Sequence, residues 1–80
     1  MIIRQKKFGN GKLVEIRSYE GQPGELFYAI ELREDAGDWN MPWEIRADGT
    51  RHIMSETTKD IYKAQKTYDE YVKKVKEDVY

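Results

Sequence analysis

Eighty residues with an apolar content of 39% and a net charge of −1 are too few for two hydrophobic cores and fit one small globular domain. The absence of cysteine excludes disulfides and thiolate metal sites, and a net charge so near zero argues against a disordered polyelectrolyte and a strongly basic nucleic-acid binder. No apolar run approaches the roughly 18 residues of a membrane span, and the opening Met-Ile-Ile-Arg-Gln-Lys-Lys-Phe lacks the apolar stretch of a signal peptide, so a cytoplasmic location is expected.

Residues 2–8 and 12–19 flank Gly9-Asn10-Gly11, which predicts a β-hairpin. A two-residue turn at Asn10-Gly11 pairs Phe8 with Leu13, Lys6 with Glu15 and Ile2 with Tyr19. These pairs favour that register over a three-residue loop, which would set Lys7 against Leu13 and Gln5 against Glu15. Pro23-Gly24 reads as a type II turn. The segment Leu26–Arg33 is the clearest strand: Leu26, Tyr28, Ile30 and Leu32 alternate onto a core face, with Glu31 and Arg33 on the other.

After a loop at residues 35–42, Trp43–Ala47 and Thr50–Met54 flank Asp48-Gly49 and predict a second hairpin. That register gathers Trp43, Ile45, Ala47, His52 and Met54 on one side. Ser55, Thr57 and Thr58 are candidate caps for a helix. Ile61, Ala64, Tyr68, Tyr71, Val72, Val75 and Val79 then recur at helical spacing as one apolar stripe, opposite Lys63, Lys66, Glu70, Lys73, Lys74 and Glu77. The expected fold is therefore α+β. An antiparallel sheet of about four to five strands, two hairpins plus a central strand, packs against one long C-terminal amphipathic helix. The expected bounds are a single domain over 1–80, with the sheet within 2–54 and the helix near 57–79.

Leu, Ile, Val and Phe total only 16 residues. The six tyrosines and two tryptophans must therefore supply core area, which makes the core thin and aromatic. A helix of about 22 residues is about 33 Å long, against about 26 Å for strand 26–33. The overhang marks Val75, Val79 and Tyr80 as a self-association face for a second copy related by a two-fold axis.

Charge is unevenly spread: residues 1–19 carry +4, residues 20–50 carry −6 and the last thirty carry +1. In the acidic segment, Asp35, Asp38, Trp39, Met41 and Glu44 combine carboxylates with large apolar side chains, the chemistry of a contact for a basic protein surface. The alternative is nucleic-acid binding by the basic hairpin, with Arg4, Lys6, Lys7 and Lys12 on phosphates and Phe8 stacking on a base. His52 is the only histidine and has no cysteine or second histidine to share a metal. Asp35, Asp38 and Asn40 depart from the EF-hand spacing. The carboxylate pairs adjacent in sequence do not converge for acid–base work. Neither metal nor cofactor is expected, and the reading is a non-enzymatic protein-binding module, an inhibitor or adaptor. In size and charge alone, without a shared motif, the chain resembles the small accessory proteins of phages and mobile elements.

Overall fold

The computed structural model describes residues 1–37 and 40–78. Strands β1 (Ile2–Lys7), β2 (Lys12–Glu20), β3 (Leu26–Asp35) and β4 (Thr50–Thr58) are followed by helix α1 (Ile61–Glu77). All neighbours pair antiparallel in the order β1-β2-β3-β4, so the expected α+β sheet-and-helix architecture is present with four strands.

The first hairpin takes the three-residue loop. Lys7 pairs with Leu13, Lys6 with Val14 and Gln5 with Glu15. The Phe8 N–H donates to Lys12 O at 2.8 Å, and Asn10 Oδ1 accepts from the Lys12 N–H at 3.2 Å. Gly11 closes the loop at φ +83°, the left-handed third position that such loops require. A one-residue change of register exchanges the two faces of a strand. Arg4 and Lys6 therefore share a face with Val14 and Ile16, while Gln5 and Lys7 share the other with Leu13 and Glu15.

The second turn repeats this shape. The Arg46 N–H donates to Thr50 O at 2.8 Å around Ala47-Asp48-Gly49, with Gly49 at φ +82°. No strand forms over 43–47. Pro42 instead opens a 3₁₀ turn, Pro42–Glu44, and among the described residues an isolated bridge, Ile45 to Arg51, is the pairing on that edge of β4.

Strand β4 runs further than the sequence suggests, because Thr57 and Thr58 pair with Ala29 and Tyr28 and β-branched residues fit a pleated surface. They are not helix caps. Asp60 is the cap: its Oδ1 accepts from the Tyr62 N–H at 2.9 Å. The sheet thus spans 2–58 rather than 2–54, and the helix 61–77 rather than 57–79. At 17 residues it is about 26 Å long, shorter than the ten-residue β3 at about 33 Å.

The helix packs mainly on β2, β3 and β4, and β1 forms an edge of the sheet. Val14, Ile16, Ile30 and Leu32 meet Ala64, Tyr68, Tyr71 and Val75 in the core. A bulge in β4 pairs Met54 with Leu32 but His52 with Arg33. Ile53 and Met54 both reach the core as a result, and His52 falls on the opposite face. Thr67, a polar residue in the apolar stripe, is buried and donates to Glu56 Oε2 at 3.2 Å. Among the described residues no helix is long and apolar enough to cross a membrane.

Candidate binding surface

The sheet face away from the helix is built from charge. The register sets Glu15 directly opposite Glu31, and two adjacent carboxylates repel unless cations intervene. Arg33 supplies the first, with Nη2 2.9 Å from Glu15 and Nη1 3.3 Å from Asp48. Arg17 Nη2 lies 3.7 Å from Glu15, Gln5 Nε2 donates to Glu15 at 3.3 Å, and Arg46 pairs with Glu31. Glu15 is only 1% exposed and Arg33 5%, although no helix covers them. Arg46 and Asp48 tie the Ala47-Asp48-Gly49 turn to this face through Glu31 and Arg33.

The Thr50 hydroxyl, at 2.6 Å, holds the Asp48 carboxyl below its ordinary 3.8; the Thr50 backbone N–H, Arg33 and Arg46 add to that, and partial burial works against it. Arg33 keeps one buried group, Nε, without a hydrogen-bond partner. Beside these residues the face holds a cleft of about 410 Å³, lined in part by Gln5, Lys7, Leu13, Arg33, Asp35 and Asp48.

The residues expected to contact a protein are only partly assembled. Asp35 ends β3, exposed, with its N–H donating to Gly11 O at 2.9 Å. Asp38 and Trp39 lie outside the described residues. Met41 and Glu44 bracket the 3₁₀ turn, and between them stands Trp43 at 78% exposure, with Met41 at 39%. Sequence alternation placed Trp43 on the inner side of a hairpin. Because Pro42 starts a turn rather than a strand, that alternation does not operate and the indole projects outward.

The basic hairpin does not present one surface. The Arg4 guanidinium stacks 4.2 Å from the Tyr68 ring centroid, 3.7 Å from Asp69. Lys6 lies 5.6 Å over the Phe8 ring, and Lys12 is 3.5 Å from Glu34. Lys7 points to the opposite face. Arg4 and Lys6 thus share one face and Lys7 stands on the other. At the helix end, Val75 belongs to the chain's own core, whereas Val79 and Tyr80 lie outside the described residues. His52 Nε2 is 3.0 Å from Ser55 Oγ, and among the described residues no cluster of His, Asp and Glu is arranged to hold a metal.

One participant escaped the sequence reading. Arg33 was legible only as an outward strand residue, yet the facing pair Glu15 and Glu31 is a signal for a bridging cation once the β2–β3 register is known. Trp43 does stand in the acidic segment that the sequence singles out, and only its outward facing is new. No family model, curated protein or solved structure matches the chain, so its functional reading rests on this geometry.

Proposed function

We propose that the chain is a non-enzymatic protein-binding module, an inhibitor or adaptor, whose contact centres on the Met41–Glu44 turn. The supporting observation is the 78% exposure of Trp43 beside a 39% exposed Met41. Exposed neighbouring apolar side chains of this size mark interaction sites, and Trp and Met are enriched where interfaces are buried. The turn is followed at once by residues anchored through Arg46–Glu31 and Asp48–Arg33, so less conformational freedom is lost on binding. Of the acidic segment, the exposed Asp35 is a carboxylate suited to the rim of a basic partner surface, whereas Glu31, Glu34 and Asp48 are matched by arginines within the fold.

The test compares proteins captured by the immobilised wild type, Trp43→Ala and a control, Tyr62→Ala, whose ring is 82% exposed on the helix. A partner retained by the control and bound roughly thirtyfold or more weakly by Trp43→Ala is expected for a hot-spot residue. Identical partners at equal affinity for wild type and Trp43→Ala would overturn the proposal.

A further inference from the structure

The cleft on the helix-free face carries a second binding reading, independent of Trp43. Its volume of about 410 Å³ lies in the range of small-molecule sites. Six charged residues line it: Lys7, Lys12, Arg17, Arg33, Asp35 and Asp48. Four of them are already satisfied. Lys12 pairs with Glu34, Arg17 and Arg33 with Glu15, and Asp48 with Arg33. Among the described residues, Lys7 and Asp35 are the two lining charges whose side chains hold neither ion pair nor hydrogen bond.

The register separates these two opposite charges. Lys7 faces Leu13, Leu13 faces Arg33, and Asp35 lies two residues beyond Arg33 on β3. Two strand spacings and two residue rises put their backbones roughly 12 Å apart. The apolar side chain of Leu13 lines the space between. A ligand with one charge alone would leave the other end unmatched, and the cations Lys12, Arg17 and Arg33 are already engaged by Glu34 and Glu15.

We propose that this cleft binds a small dipolar molecule whose anionic group meets the Lys7 ammonium, whose cationic group meets the Asp35 carboxylate, and whose carbon chain lies over Leu13. The ligand class is an ω-amino acid or a molecule of like length and charge separation.

The test is an amide-resolved NMR titration of the full chain with three probes: 6-aminohexanoate, hexanoate and hexylamine. Saturable shifts at Gly11, Leu13, Arg33 and Asp35 are expected with 6-aminohexanoate. Hexanoate and hexylamine should each bind at least about tenfold more weakly, as expected when one charge-assisted hydrogen bond is lost. Lys7→Gln and Asp35→Asn change exposed side chains and should keep the folded spectrum while weakening 6-aminohexanoate binding by a similar factor. Lys63→Gln, exposed on the helix, should leave it unchanged. No saturable binding, equal binding of all three probes, or undiminished affinity in both cleft variants would overturn the proposal.

Discussion

Arg33 lies on an inner strand with Glu15 2.9 Å away on one side and Asp48 3.3 Å away on the other, and its burial is matched by that of Glu15. Paired buried charges of this kind hold a fold together mainly by what happens when one is removed. Arg33→Met leaves Glu15 buried with only Arg17 and Gln5 nearby, and a loss of about 3–5 kcal/mol is expected. Adding Glu15→Leu to that variant replaces the pair by apolar groups and should recover most of the loss. Urea unfolding of the two variants checks this; equal stabilities would remove Arg33–Glu15 as a coupled pair. Arg33 could be seen in the sequence as facing away from the helix, but its burial could not. That burial depends on Arg46 and Asp48 arriving from a turn some fifteen residues later in the chain.

At the scale of elements, Gly9-Asn10-Gly11 and Ala47-Asp48-Gly49 form the same loop, each with a glycine at positive φ in third position. Both Asn-Gly and Asp-Gly also suit a two-residue turn, so the dipeptide announces a hairpin without setting its register. Judging by favourable cross-strand pairs selects Phe8 with Leu13. The fold instead accepts Arg4 and Lys6 on the helix side, because Tyr68 and Asp69 on α1 receive Arg4. Gly11→Ala and Gly49→Ala both place a side chain in a left-handed conformation at a cost of about 1–2 kcal/mol. The closest atom to a Cβ at Gly11 is Asp35 Oδ2 at 2.9 Å, the end of an exposed side chain that can turn aside, and Gly49 has open space. Thermal melts of the two variants should therefore show similar losses, and no loss in either would contradict the left-handed third position.

For the whole molecule, extents of 40 × 28 × 16 Å leave room for one helix layer over the sheet and no second, since packed layers sit about 10 Å apart. One face is therefore closed by apolar burial under α1 and the other by ion pairs that draw in the segment after the 3₁₀ turn. Arg46→Ala together with Asp48→Ala should speed amide exchange over residues 45–50 and leave Val14, Ile16, Ile30 and Leu32 protected. A uniform rise across the sheet would show that the two closures are not separable. Acid should act on the same contact. The folded Asp48 value is depressed below 3.8, so its contribution is fully present above about pH 4 and is lost as pH falls through that lower value. Asp48→Asn should remove this part of the acid sensitivity.

The sequence by itself determined what depends on near neighbours: the alternation that makes Leu26–Arg33 a strand, the glycine turns that fold the chain back, and the helical spacing that turns Ala64, Tyr68, Tyr71 and Val75 inward. Tertiary structure decided what depends on residues distant along the chain. It chose the one-residue register that sends Lys7 to the cleft, drew Thr57 and Thr58 into β4 before Asp60 could cap the helix, and buried Arg33 between Glu15 and Asp48. Periodicity is a property of one segment, whereas register, capping and charge burial are settled only when two segments meet.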